Sequence, residues 1–555
     1  MPNRVQLTNT ADFTGGLNLR ADQFTIDGNQ VPWILNMEID TRFGARSRKG
    51  WGDWQTFPAA DGDWNPRSMF AHTTSSGSEV LFAAASDKLW SNYSGGFEEI
   101  TGLAATADPH GADFAAWGED VYVACGRGNK SVRWVGGVVT ALDEDEWSPD
   151  YTEPGSGQMP SADLVAANHG YLWVANTLEN GEHHAQRLRW SHPNDPDAWA
   201  NLDYIDFPEG NGPITGIMPF RDHMLVFFPT SVWALYGTND ATWQKANVTG
   251  TVGAVNRQCV ARAESVVYFV SWPEGVYSIG VDSVSEVSGA LRPAFDTQFF
   301  GSQTDLQWLS WADQKLYWTV PFAETFQYSP ETRHAHDPDS TSTFVFDPSI
   351  NAWTLWQAGN DDSIAPIVGS AVAENPVGCS RSVPTLVQFN AFEEPTDFLG
   401  GEEYDFATVL RTPWQDAGYP TIRKRWKRPD YILLETTEPH KIEVLVFHDL
   451  QETGARRTRY VYFEPSTSAL FWEDDGVDPL HVWESAERIA DDANPGTPKV
   501  VPPLLKWGSR VSGSVIERSG SLGNASAVQL ELRGEAGKAW GLTALVWKSI
   551  LRKVR

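Results

Sequence analysis

Apolar residues in this chain gather in short runs, each led by a tight turn. Ser76-Gly77 leads into VLFAAA, Trp117-Gly118 into VYVAC, His169-Gly170 into YLWVA and Arg221-Asp222 into MLVFF. Ala263-Glu264 before VVYFV and Ala312-Asp313 before KLYWTV continue the series. The blocks recur every roughly 40–50 residues, the span of one multi-stranded blade of a β-propeller. A second element closes several of them, an Asp or Asn turn running into Trp: Asp195 to Trp199, Asn239 to Trp243 and Asp347 to Trp353. The turn side chain can bond its own backbone two residues on, and the indole can cover the end of a blade core. Helical periodicity is scarce. The pattern predicts an all-β chain with a propeller of about six to seven blades over residues 61–394.

Outside that span the rhythm differs. Residues 1–60 are a string of turn signals around VPWILNMEI, ending in the hairpin DTRFGARSRKG. They are expected to join or dock the propeller. From residue 395 onward the apolar runs lengthen and alternate, as in KIEVLVFHDL, TRYVYFEP, AVQLELRGEA and KAWGLTALVWKSIL. That predicts an antiparallel β-sandwich over 395–555.

Composition supports the sheets: of 555 residues, 12% are aromatic, with 26 Trp, and 47 Gly and 34 Pro punctuate the chain. The formal net charge of −30 repels phosphate backbones in general. The basic residues stand in groups: Arg42, Arg46, Arg48 and Lys49; Arg423, Lys424, Arg425, Lys427 and Arg428; Arg456, Arg457 and Arg459; and a tail of Lys548, Arg552, Lys553 and Arg555. Basic patches on an acidic body suggest charge-complementary docking to a partner or to copies of the same chain. Three dispersed cysteines make neither a disulfide framework nor a metal cluster, and Cys125 and Cys259 read as buried small hydrophobes. No apolar run is long enough to span a membrane or to serve as a signal core, so the expectation is a soluble protein made in a cytoplasm.

The search for chemistry finds no nucleotide-binding loop and no nucleophile elbow. His183, His184 and His192 match no zinc spacing and fall in a stretch that reads as a polar surface loop. The acidic groups Asp143–Glu146, Asp361-Asp362 and Glu473–Asp475 with Asp478 do not fit a twelve-residue calcium loop and read as solvated turns. Glycosidase propellers need a carboxylate pair, and sialidases a repeated S-x-D-x-G-x-T-W turn; the turns here lack its Ser and Gly. No catalytic residue, cofactor or metal is expected. An exposed Trp353 and Trp356 pair could line a sugar-binding groove, but at strand spacing Trp is more often core.

The opening Phe13, Gly15, Gly16, Leu17 and Asn18 is followed by Asp22, Gly28, Asn36 and the stretch Gly44 to Gly50. In this order these residues resemble the N-terminal signature of bacteriophage tail nozzle proteins, the tail tubular B-like family. Arg187 to Gly210, Ile214 to Phe228, Val232 to Gly237 and Thr412 to Gly418 carry the likeness further. The chain is shorter than the best-known nozzles. The resemblance implies a structural virion protein of the tail, assembled in the host cytoplasm. It implies a ring, usually a hexamer, that lines or closes the DNA-ejection channel and meets the adaptor and portal side and the fibres or needle. An acidic wall lets DNA slide past without sequence-specific binding. The expected interface is Arg42, Arg46, Arg48, Lys49, Arg423, Lys424, Arg425, Lys427 and Arg428 with the tail residues Arg552, Lys553 and Arg555. The alternative is a carbohydrate-binding or glycan-cleaving propeller at the tail tip.

Overall fold

The structure, a computed structural model, describes residues 5–551 outside 12, 20–24, 42–43, 59–63, 65, 86–87, 101–110, 143–158, 282, 293–306, 322–340, 360–363, 372, 374, 420, 434–439, 450–456 and 464–520. The chain divides into two compact units: residues 17–21 with 49–406, and residues 1–16 and 22–48 with 407–555. Both are built from strands.

The larger unit is a ring of antiparallel sheets. Six have four strands each, and their first strands are Pro66–Thr73, Asp113–Trp117, Ser161–Asn168, Gly216–Phe220, Val260–Arg262 and Trp308–Ala312. A seventh sheet starts at Ile364–Gly369 and adds Pro376–Ser380, Thr385–Phe392, Gly50–Thr56, Thr396–Leu399 and Glu402–Asp405. Each first strand lies against the first strand of the next sheet, and Ile364–Gly369 meets both Trp308–Ala312 and Pro66–Thr73, which closes the circle. This is a β-propeller.

The six sequence blocks are the second strands of the first six sheets. Their turns are two to five residues long, and five of the six place a residue in the left-handed backbone region. His169 and Gly170 have φ of 52° and 76°, and Asp313 and Gln314 have 46° and 59°, the type I′ pattern. The runs are unbroken by polar residues because both faces of each sheet are covered. Val80, Phe82 and Ala84 pack toward the second sheet against Val121, Val123 and Trp134. Leu81, Ala83 and Ala85 pack toward the seventh against Val377, Cys379 and Leu386.

The Asp-to-Trp elements behave as the pattern predicts. Asp195 Oδ1 accepts from Asp197 N at 3.2 Å, and Asp347 Oδ1 from Ser349 N at 2.9 Å. Asn239 differs: its side-chain oxygen accepts from the Thr242 hydroxyl at 3.0 Å. Trp199 is buried, and Trp243 of the fourth sheet stands 4.2 Å from the Trp190 ring and 4.8 Å from Trp173 of the third. Indoles thus mortar one sheet to the next.

The propeller begins with residue 49, not 61, because Gly50–Thr56 is the strand that completes the seventh sheet. It pairs with Thr385–Phe392, whereas residues up to 48 belong with the other unit. That other unit comprises two antiparallel sheets where the sequence predicts a C-terminal sandwich. One holds Val5–Ala11, Met37–Asp40, Gly44–Ser47, Lys424–Leu433, Ser521–Ala525 and Gly541–Leu551. The other holds Trp33–Leu35, Val409–Arg411, His440–His448, Arg457–Phe463 and Val528–Gly534. The unit therefore draws strands from both ends of the chain: Val5–Ala11 pairs with Gly541–Leu551 over its whole length. The boundary at 395 moves to 407 for the same reason, since Thr396–Asp405 is a hairpin on the seventh propeller sheet.

Candidate functional site

The first strands surround the axis of the ring, and the residues at their starts cross it. The turn Arg257–Cys259 precedes the first strand of the fifth sheet. From there Arg257 donates through Nη1 to the Asp163 carbonyl of the third sheet at 2.6 Å, and through Nη2 to the Gly111 carbonyl before the second. Gln258 Nε2 donates to the Arg67 carbonyl of the first sheet at 2.7 Å, and Trp308 Nε1 of the sixth donates to the same oxygen at 3.1 Å. Side chains from two sheets thus tie main-chain carbonyls of three others across the centre. Each bond made by the guanidinium is charge-assisted.

Carboxylates frame this crossing. Asp163 takes Arg127 N at 2.9 Å, Arg127 Nε at 2.9 Å and Asn176 Nδ2 at 2.6 Å. Asn176, at φ 57°, also accepts from His183 Nε2 at 2.6 Å, and Arg127 Nη1 lies 3.3 Å from His183 Nδ1. Asp113 accepts from Val165 N at 2.9 Å and Phe114 N at 3.1 Å. Burial raises its carboxyl above the ordinary range, and Arg257 and the two N–H donors offset this in part. Below the crossing lies a cavity of about 330 Å³, lined by Arg67, Asp113, Arg257, Arg262, Trp308 and Trp311 among others. These carboxylates are already engaged by donors, so what the cluster does is hold five sheets in register. His183 and His184 fall in the strand Glu182–Trp190 and not in the loop the sequence suggests.

A second polar network lies in the third sheet. Glu179 accepts from Arg189 Nε at 2.9 Å, Arg187 Nη1 at 2.8 Å and the Thr177 hydroxyl at 2.6 Å. Burial pushes the Glu179 carboxyl up, but Arg189, Thr177 and Arg187 outweigh it and hold it below the usual range. Arg189 reaches on to the Ala200 and Asn201 carbonyls at 2.8 and 2.9 Å. Arg189 therefore fastens the turn that follows Trp199, ahead of the outer strand Tyr204–Asp206, to the sheet.

The expected interface residues separate into four groups. Arg42, Arg552, Lys553 and Arg555 lie outside the described residues, as does the side chain of Arg428. Arg48 and Lys424 are corrections: both are fully buried in the chain. Arg48 Nε donates to Asn36 Oδ1 at 3.2 Å, while Asn36 Nδ2 donates to the Ala407 carbonyl at 3.1 Å. Lys424 Nζ donates to the carbonyls of Tyr419, Ile422 and Ser526. Arg46 pairs with Glu38 at 3.2 Å and Lys49 with Glu393 at 2.6 Å. Arg423, Arg425 and Lys427 are exposed, with Arg423 3.5 Å from Asp449. A cluster of charge in sequence alternates between faces in a strand, which is why Lys424 points inward between outward neighbours.

Trp353 and Trp356 are core residues, 2% and 1% exposed, and Trp353 Nε1 donates to the Val287 carbonyl at 2.8 Å. They form no sugar platform. Cys125, Cys259 and Cys379 are free and buried, and burial pushes the Cys125 thiol up to about 12. The acidic groups Asp143–Glu146, Asp361-Asp362 and Glu473–Asp478 fall outside the described residues. Among the described residues no group of three or more His, Cys, Asp or Glu is placed to hold a metal ion, and no helix is long and apolar enough to cross a membrane. The central crossing was not legible in the sequence: Arg257-Gln258 sits in an unremarked loop, and only the ring brings it to Gly111, Asp163 and Arg67.

No protein-family model and no curated protein matches the chain. Solved structures similar to it include the computationally designed Ika8 protein, at TM-score 0.36 and 11% identity, covering 67% of this chain and 98% of that one. The β-propeller domain of Cps50 (Swd1) from Myceliophteria thermophila gives TM-score 0.36 and 9% identity, covering 61% and 99%. A nidogen/laminin complex gives TM-score 0.28 and 11% identity, covering 52% and 96%. At such scores the likenesses carry no argument about function, and the propeller rests on its own closed ring of sheets.

Proposed function

We propose that this chain is a structural subunit of a bacteriophage tail, a nozzle-type ring protein that lines or closes the DNA-ejection channel and docks to adaptor and fibre proteins. The observation that carries this reading is the position of the signature residues. Gly15 N donates to the Asn29 carbonyl and Gly16 N to the Phe13 carbonyl, both at 3.0 Å, just before the chain passes into the propeller unit at residue 17. Asn36 and Arg48 join each other and Ala407, at the second passage into the propeller and the return from it. The residues that resemble the nozzle signature are thus the joints through which a propeller is inserted into a second β unit. A likeness concentrated on joints is a likeness of architecture. The bridged centre of the propeller supports a conduit formed between copies of the chain, walled by its acidic surface. Catalysis has no part in this reading.

Particles purified from an infected host are the test. Quantitative mass spectrometry is expected to find the chain in the tail at about six copies per particle, the hexameric ring that the nozzle resemblance implies. Recovery of the chain only as a free monomer in lysate would overturn the reading.

A further inference from the structure

Two exposed faces of opposite charge stand out in the described chain. The first lies on the six-stranded sheet of the smaller unit. Along Lys424–Leu433, Lys424 and Trp426 point inward while Arg425 and Lys427 are exposed. Lys427 is registered directly opposite Lys548 of Gly541–Leu551, so two ammonium groups share the face, and Arg423, 68% exposed, extends it. Like charges set directly across a strand pair cost stability, which an acidic partner would reverse.

The second face is the hairpin Thr396–Leu399 and Glu402–Asp405, at the edge of the seventh propeller sheet. Phe398, 39% exposed, stands opposite Glu403, and Thr396 stands opposite Asp405; exposed Glu394 precedes the strand. Acidic residues on an edge strand discourage strand-to-strand pairing, so a partner must be met through side chains. An aromatic ring among carboxylates is suited to guanidinium groups, which pair with the acids and pack on the ring face.

We propose that the acidic hairpin of one copy docks on the Arg423, Arg425 and Lys427 face of the next. This rests on the ring-subunit reading and supplies its contact. The two faces are different patches, so the contact is heterologous and generates a ring when its rotation closes. With 72 acidic against 42 basic residues, copies of the chain repel one another unless the scarce cations are concentrated at the contact.

Sedimentation velocity of the full chain tests this, with circular dichroism confirming that each variant folds. The wild type is expected to associate at low salt and to lose association as salt rises. R425E/K427E and E394K/E403K are each expected to abolish it, and the fourfold variant carrying both reversals to restore it. Association unchanged in both double variants would overturn this contact and leave the ring reading standing. A double variant that dissociates without rescue by the fourfold exchange would overturn the pairing of these two faces. A wild type that stays monomeric at every salt and concentration would overturn contact and ring together.

Discussion

Arg257 does at the centre of the ring what no apolar residue could, since it satisfies carbonyls of two sheets at once. Replacing it removes the charge-assisted donor from those part-buried oxygens, and Arg257→Ala is expected to cost about 2–4 kcal/mol, read as a lower denaturation midpoint. Arg257→Lys should recover only part, because one ammonium cannot reproduce the fork. Glu179 sets an acid limit. Its folded-state carboxyl is held low, so its contribution is present above the unfolded value of about 4.3 and is lost as pH falls through the folded one. Glu179→Gln should therefore be less stable than the wild type at neutral pH, with a shallower loss on acidification in urea titrations at stepped pH. The three buried thiols should resist alkylation in the native protein and react together on unfolding, since the thiolate is the nucleophile and burial suppresses it.

Strands are where sequence reading succeeds and where it stops. Six turn-and-run blocks were legible because hairpins are local and a strand covered on both faces must be apolar throughout. The seventh sheet was not legible, since its second strand, PVGCS, is broken by Pro, Gly and Ser and follows no such turn, and its closing strand comes from the far end of the chain. Gly50–Thr56 carries no alternation that marks its faces, and only ring closure decides its partner. Gly50 opens that strand where a Cβ would collide with the Thr396 carbonyl. Gly50→Val is expected to loosen the closing sheet and expose Trp51, which is stacked 4.6 Å from Phe389, to fluorescence quenchers. The basic groups were misread for a physical reason as well. Linear charge clusters hide the alternation of faces, so Lys424 went into the interior while Arg425 and Lys427 stayed out; Arg48, between two strands, is instead drawn in by its bond to Asn36.

At the scale of the molecule, the ring is complete with residues 49–406, whereas the other unit waits for strands near both ends of the chain. The two should separate in hydrogen exchange, with protection in the propeller surviving disruption of the pairing between Val5–Ala11 and Gly541–Leu551 by a proline at Val546. Loss of protection across both units in one step would show that they unfold as one.

That pairing has a consequence for synthesis. A ribosome releases Val5–Ala11 before the propeller and its partner Gly541–Leu551 after it. The early strand must stay unpaired while the ring forms, and a product cut short between residues 407 and 541 retains a finished propeller but lacks the strand that bears Lys548. Strand pairing across the propeller then acts as a test of length, admitting to assembly only chains that have been translated through Gly541–Leu551.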